Sequence, residues 1–321
     1  MIVGIRCDGN DKVASGHVTR TLTIAEALRR QGAEVRFFAA DDSTLRMLRL
    51  RMDPASDYPV TVLGTDYRDL CGELPVLTRE LTACGAEVLL IDSYFADAAY
   101  AAGLKKSCPS LKMAWMDDTG DAPAGIGLIV NYVAPETARI GTADGGTILK
   151  GPAYTPLREQ FADARMPVRE KVRTVFVSTG GSDLYGFAAA LSVRVEEVLP
   201  GVACRIPQGI REMAAYMAEC DLAVSAGGTT VYELCAVGVP TVFYTMADNQ
   251  LALAAGIGAS AENAGDIRDP QDRAAALDRI GEWLLRMAGS AEARRTASLR
   301  ERQLTDGAGA DRIALEILRL H

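Results

Sequence analysis

The chain predicts an α/β protein with two parallel-sheet domains, on three observations. Short apolar runs alternate with segments of helical periodicity, each run ends in polar side chains, and the pattern breaks once, between 142 and 168, before restarting. A parallel sheet requires that alternation, since every crossover must return over one face. In an open sheet of this kind the C-terminal strand ends line the ligand crevice, so the polar residues there are the first candidates for function.

In order, Met1 to Arg6 reads as a strand and Cys7 to Gly16 as a polar loop. From His17, Leu22, Ala25 and Leu28 recur at helical spacing until Gly32, and Glu34 to Ala40 resumes as a strand. Val88 to Ile91 delivers Asp92, close to Tyr94; Leu111 to Met116 delivers Asp117 and Asp118; Ile126 to Val130 delivers Asn131. Thr142 to Val168 carries Gly145, Gly146, Gly151, Pro152, Pro156 and Pro167, and reads as a connection in which Tyr154 to Phe161 packs or touches ligand.

A second α/β unit begins at Val172 to Val177, followed by the turn Ser178 to Asp183, a helix over Leu184 to Val198, a short strand near Val202 to Ile206 and a helix over Ile210 to Glu219. Ala223 to Pro240 then reads as strand, Gly227-Gly228 turn, helix, and a stop at Gly238. Thr230 and Glu233 have capping-box spacing at that helix start. Thr241 to Thr245 is a strand and Ala247 to Gln250 a polar turn. After Pro270 the chain is mostly helical, with Trp283 and Leu284 facing a core and a last helix over Asp311 to Leu318. The expected division is 1–155, a connection at 156–170, 171–300, and a C-terminal helical stretch 301–321 packing across the domains.

Composition narrows the function. A formal net charge of −8 argues against a nucleic-acid binder while allowing a local basic site for a phosphorylated small molecule. The 7 cysteines include no C-x-x-C pair, as expected of reduced cytoplasmic thiols. The chain enters a strand directly and has no apolar run of membrane-spanning length, so the expectation is a cytoplasmic protein with no integral membrane segment. With His17 and His321 the only histidines, no metal site is expected. Gly9 and Gly16 are too far apart for a dinucleotide fingerprint, so no cofactor is expected either.

His17 opens a helix, where the peptide dipoles favour the neutral imidazole that a general base requires. It is a candidate catalytic base or, equally, a polar helix-start residue bonded to a loop. Asp8, Asp11 and Asp92 are the residues able to orient it, and each suits a turn cap as well. Arg6 and Arg20 can meet a pyrophosphate or pair with acidic neighbours. In the second half, Gly180 and Gly181 bend the chain or expose backbone donors, and Asp183 reads as a cap. Gly228, Thr229 and Thr230 combine close backbone approach, hydroxyl donors and free helix N–H groups, which suits phosphate. Glu233 either caps its helix or accepts from ribose hydroxyls. Asn249 and Gln250 offer neutral hydrogen bonds to a sugar or nucleotide, and Tyr232, Cys235 and Met246 read as packing residues.

The pieces RCDGNDKVASGHVTR from Arg6, LLIDSY from Leu89, MDD from Met116, GPAYTPLREQF from Gly151, STGGSD from Ser178, AGGTTVYELCAVGVPTVFY from Ala226 and ADNQ from Ala247 span most of the chain. In that order the sequence resembles the UDP-2,4-diacetamido-2,4,6-trideoxy-β-L-altropyranose hydrolases of pseudaminic acid biosynthesis, and the related spore-coat polysaccharide and MurG-like glycosyltransferase group. The resemblance implies a GT-B fold, two Rossmann-like domains separated by a ligand cleft, with the uracil nucleotide on the C-terminal domain. It implies that His17 activates water, that Asp92, Tyr94, Asn131 and Tyr154 face the sugar, and that Gly228, Thr229, Thr230, Glu233, Asn249 and Gln250 hold nucleotide and pyrophosphate. The family loop reads Ile-Gly-x-Gly-His, where this chain has Val13, Ala14, Ser15, Gly16 and His17; Ala14 restricts positive φ at a turn that expects glycine. The implied reaction is hydrolysis of a UDP-sugar at the anomeric carbon. An inverting glycosyltransferase, a nucleotide-sugar epimerase and a noncatalytic nucleotide-sugar sensor are the alternatives.

Overall fold

The computed structural model describes residues 1–10, 12–13, 15–133, 146–180 and 183–321, with every side chain among them except that of Asn249. Asp11, Ala14 and Gly181 therefore lie outside the described residues. The chain forms two compact units. The first comprises Met1–Tyr132, the described residues 146–150 and Ala310–His321, and the second comprises Val133 and Gly151–Gly309.

In the first unit, β1 (Ile2–Cys7), α1 (Gly16–Arg30), β2 (Glu34–Ala39), α2 (Asp42–Arg51), β3 (Val60–Val62), α3 (Leu70–Cys84), β4 (Val88–Asp92), α4 (Ala98–Ser107), β5 (Lys112–Met116), β6 (Leu128–Asn131) and β7 (Thr147–Lys150) follow one another. The sheet is parallel in the order β3-β2-β1-β4-β5-β6-β7. Strand order reverses between β1 and β4, and the register there sets Cys7 opposite Asp92. That reversal opens the crevice in which doubly wound sheets bind ligands. Val88 to Ile91 are fully buried, so both faces of β4 are covered, as the unbroken apolar run requires. Val18, Leu22, Ala25 and Leu28 bury the inner face of α1 and seat its first turn beside the crevice. Each such aliphatic side chain contributes about 1.5–3 kcal/mol when fully covered.

The second unit runs through β8 (Thr174–Ser178), α5 (Phe187–Val198), β9 (Ala203–Arg205), α6 (Met213–Ala218), β10 (Leu222–Ala226), α7 (Thr229–Val237), β11 (Thr241–Thr245), α8 (Asn249–Ile257), β12 (Glu262–Asp266), α9 (Pro270–Ala288) and α10 (Ala291–Leu304). Its sheet is parallel in the order β12-β11-β10-β8-β9, with its reversal between β8 and β10. Alternate residues of β8 enter different cores: Val175 and Val177 join one cluster and Phe176 the other, so this sheet too is covered on both faces. A last helix, α11 (Gly309–Leu318), returns to the first unit, where Arg30 meets Asp311 at 2.7 Å and Gln31 Nε2 donates to the Asp311 carbonyl. No described helix is long and apolar enough to cross a membrane.

Two local expectations are corrected, and a third, packing within the connecting stretch, is met. Thr147–Lys150, inside the Gly- and Pro-rich stretch expected to be a connection, is the seventh strand of the first sheet. Leu157, Phe161 and Met166, from the same stretch, are buried in a core of the second unit. Asn249 and Gln250 open α8 rather than ending a turn.

Candidate functional site

The reversal point of the first sheet gathers its buried polar groups. His17 is the second residue of α1, and Asp92 ends β4. Nδ1 of His17 lies 2.5 Å from Asp92 Oδ1, with both side chains almost wholly buried. Arg20, one turn further along α1, donates through Nε to Asp92 Oδ2 at 2.7 Å and through Nη2 to Oδ1 at 2.5 Å. Its Nη1 donates to both oxygens of Asp118 at 2.8 Å and to the Tyr132 hydroxyl at 3.1 Å. Every guanidinium nitrogen is thus engaged, and Arg20 acts as a bracket that fixes Asp92.

Electrostatics then fix the imidazole. Burial opposes charge on Asp92, but Arg20 and His17 outweigh it and hold the carboxyl well below the usual carboxylate range. Burial likewise works against charge on Arg20, and Asp92 with Tyr132 and Asp118 overcomes it, raising the guanidinium above its ordinary value. An ionised Asp92 has only lone pairs to offer, so His17 must carry its proton on Nδ1 and donate it there. The 3.2 Å approach of Arg20 Nη2 to His17 Nδ1 is then a consequence of the shared Asp92 oxygen, not a bond. In the neutral imidazole Nε2 then keeps its lone pair, and the atom is buried without a hydrogen-bond partner among the described residues. The tautomer is therefore the one a general base uses.

A cavity of about 70 Å³ adjoins this group, lined by His17, Arg20, Asp92, Tyr94, Asp117 and Asp118 among others. Tyr94 packs edge-on against the His17 ring at 4.4 Å between centroids while staying 56% exposed. Burial of its inner part pushes the phenol up to about 12, so Tyr94 keeps its proton as a hydrogen-bond donor. Asn131, at the end of β6, is buried within the first unit but does not line the cavity.

Arg6 and Asp8, expected to meet substrate, are put to a different use. Arg6 is fully buried and holds Glu73 through two bonds of 2.8 and 2.7 Å, with Asp8 at 2.7 Å. Glu73 also accepts from the Tyr100 hydroxyl at 2.8 Å, and Asp8 accepts from the Ala40 N–H. A fully buried guanidinium enclosed by two carboxylates is committed to them rather than open to a ligand. Of the carboxylates able to orient His17, Asp92 does so and Asp8 does not.

The second unit presents two loops at its own reversal point. Gly180, at φ +78°, follows β8 in the left-handed region that favours glycine. Asp183 caps α5, accepting from Phe187 N–H at 2.7 Å and Ala188 N–H at 3.2 Å, as expected. After β10, Gly227 N–H donates to the Tyr244 carbonyl at 2.7 Å, which pins the turn against β11. Gly228 is the N-cap of α7, with extended backbone and no side-chain cap. Thr229 and Thr230 therefore occupy the first turn, and the capping box expected from Thr230 and Glu233 does not form. Glu233 faces Arg158 at 3.5 Å instead, and burial raises its carboxyl above the ordinary value despite that cation. Gly238 closes α7 at φ +83°, as its position in the sequence predicted.

Gln250 turns its carbonyl oxygen back to the Met246 N–H at 2.8 Å, leaving only its amide N–H groups for a ligand. Tyr154 ends a 3₁₀ turn, Pro152–Tyr154, in the second unit. Sequence reasoning placed Asp117 and Asp118 on the rim without a role, and it missed Tyr132, which directly follows Asn131. It also missed Glu73, whose pairing with Arg6 spans 67 residues and leaves no local mark.

No family model matches the chain. It is 23% identical over 283 residues to the spore coat polysaccharide biosynthesis protein SpsG of Bacillus subtilis (strain 168), covering 79% of this chain and 80% of that one. MurG of Acinetobacter baumannii superposes with a TM-score of 0.70 at 14% identity, over 99% of each chain. UGT89C1 of Arabidopsis thaliana, in complex with UDP-L-rhamnose, does so with a TM-score of 0.59 at 13% identity, over 98% of each. Two parallel-sheet, Rossmann-like units matched end to end by such structures show the fold of the GT-B glycosyltransferases.

Proposed function

We propose that this protein is a nucleotide-sugar enzyme of glycan biosynthesis in which His17 takes a proton from an oxygen nucleophile attacking the anomeric carbon. The observation that carries the reading is the His17 imidazole, held by an ionised Asp92 in the tautomer that leaves Nε2 as acceptor. As the nucleophile's oxygen bonds to the anomeric carbon, the bond from that carbon to the pyrophosphate oxygen breaks. Its electron pair leaves with the nucleotide, and the proton passes to Nε2. A single displacement inverts the anomeric centre. The Gly228 turn and the first N–H groups of α7, with Thr229 and Thr230, suit the developing phosphate charge. Glu233, free of any capping duty, suits the ribose hydroxyls, with Gly180, Asn249 and Gln250 as further nucleotide contacts and Tyr94, Asn131 and Tyr154 as sugar contacts. Gly181 is proposed with them and lies outside the described residues.

The comparisons favour glycosyl transfer to an acceptor hydroxyl: UGT89C1 is named with UDP-L-rhamnose, MurG and other matched structures share the fold, and SpsG is named for polysaccharide biosynthesis. Hydrolysis is the second reading: a cavity of about 70 Å³ beside His17 has room for water as the nucleophile.

The test mixes the purified protein with a panel of UDP-sugars, with and without hydroxyl acceptors, and follows UDP, free sugar, glycoside and sugar isomer. Transfer predicts UDP in step with glycoside and only when acceptor is present; hydrolysis predicts UDP and free sugar in water alone. An isomeric sugar would indicate an epimerase, and binding without product a sensor. Undiminished product formation by a folded, UDP-binding His17→Gln protein would overturn the base assignment.

A further inference from the structure

Once His17 is read as the base, the same cavity holds a second group without a task. Asp117 directly follows β5 and is 2% exposed. Its Oδ1 accepts from the N–H groups of Gly120 at 2.8 Å, Asp121 at 3.2 Å and Thr119 at 3.3 Å, and from the Thr119 hydroxyl at 3.4 Å. These bonds lock the side chain and occupy one oxygen. The other, Oδ2, is buried with no hydrogen-bond partner among the described residues, as is Nε2 of His17. Both residues line the cavity of about 70 Å³. A buried acceptor left unpaired is unfavourable by about 1–3 kcal/mol, so two such acceptors on residues that line one small cavity suit a guest that donates twice. Arg20, which also lines the cavity, is spent on Asp92, Asp118 and Tyr132. Water offers two O–H groups, an alcohol only one.

We propose that Asp117 is a second catalytic acceptor, and that its Oδ2 and His17 Nε2 together hold the water that attacks the anomeric carbon. The inference rests on the hydrolytic reading of the site. One water proton passes to Nε2 as the oxygen bonds to carbon and the nucleotide leaves with the electron pair of the broken bond. The other proton stays hydrogen-bonded to Asp117, which aims the oxygen lone pair. A simple alcohol, with one O–H, would leave Asp117 unpaired, so the pair favours water over such an acceptor.

The experiment compares wild type, His17→Gln and Asp117→Asn for UDP affinity, UDP release in water and glycoside formation with added alcohols. Asparagine keeps an oxygen for the loop N–H groups and turns an N–H donor to the cavity. The expected result is unchanged UDP affinity, hydrolysis slowed about 10- to 100-fold, and a raised ratio of transfer to hydrolysis. Hydrolysis within twofold of wild type in Asp117→Asn, with His17→Gln inactive, would overturn the role of Asp117 and leave the base intact. Full activity in His17→Gln would overturn the underlying reading, and a wild type that transfers but never hydrolyses would overturn the assignment of water. A high-resolution crystal structure of the wild type gives a check independent of variant folding. A water within about 3.2 Å of both atoms supports the proposal, and its absence refutes it.

Discussion

Replacing Asp92 with Asn tests the site at the group on which its chemistry depends. The carboxylate accepts from His17 Nδ1 at 2.5 Å, Arg20 Nε at 2.7 Å and Arg20 Nη2 at 2.5 Å, one oxygen shared and one facing Nε alone. An amide has one acceptor and one donor, so either orientation sets an N–H against an N–H. With the amide nitrogen toward His17, the imidazole must move its proton to Nε2, and the base becomes a donor. With the nitrogen toward Arg20 Nε, a charged donor in the bracket loses its partner. Breaking one side of a buried pair costs about 3–5 kcal/mol, and Arg20 keeps Asp118, so the lower end, about 3 kcal/mol, is expected. A wrong tautomer in a comparable Asp-His arrangement costs about 10⁴ in rate; with Arg20 still supporting the site, about 10³ is expected, or roughly 4 kcal/mol. The assay is kcat/KM for UDP release from the sugar that the panel identifies, beside nitrogen NMR of the imidazole. With 2 histidines in the chain, a His321 variant assigns the signals. The carboxyl is held low in the folded protein, so its stabilisation is complete above the unfolded value near 3.9 and disappears as pH falls toward the folded one. Asp92→Asn should therefore be less stable at pH 7 and flatter across that acid range. Activity within fivefold of wild type, with His17 still protonated on Nδ1, would refute the argument.

Two further substitutions separate structure from binding. Glu233→Gln should weaken UDP affinity about tenfold or more while changing stability by less than about 1 kcal/mol, since only the partly exposed ion pair with Arg158 is lost; titration calorimetry and thermal melts give the two numbers, and a large fall in Tm at constant affinity would return Glu233 to a structural role. Arg6→Met should lower stability in urea by about 3–5 kcal/mol without touching a ligand, because Glu73 and Asp8 are left buried without their cation. Burial already raises the Asp8 carboxyl, and without Arg6 it rises further, so the deficit should shrink as pH falls and Asp8 takes a proton. A deficit that does not depend on pH would show that Asp8 is not part of the network's balance.

Much of this fold is legible in short-range pattern, and the exceptions have physical causes. The strands carrying Asp92, Asp117 and Asn131 are apolar runs buried on both faces, which period and composition reveal directly. β12, with the sequence ENAGD, shows no apolar alternation; it lies at a sheet edge and is held by pairing with β11. β7 hides in a Gly- and Pro-rich stretch because its place depends on β6. The capping box failed for a local reason: Gly228 adopts the extended backbone of an N-cap, and the helix starts earlier than Thr230 would have it. His17 and Asp92 could be paired as candidates because each ends or begins an element at one rim. Glu73 could not, because only the register of the folded sheet brings α3 against Arg6.

The path of the chain through its two units carries a consequence for dissecting them. Apart from the segment beginning at Val133, the second unit is the stretch 151–309, after which the chain re-enters the first unit at Ala310, so topologically the second unit is largely an insertion. Ile313, Ala314 and Ile317 of α11 are fully buried, and Leu320 reaches 3.0 Å from where a side chain on Gly127 would begin. A fragment cut at 150 would thus expose an apolar seam and lack the helix that seals it, whereas 151–309 is continuous. Separating the two units by protein engineering therefore favours a circularly permuted or spliced first unit, with residue 150 joined to residue 310, over simple truncation.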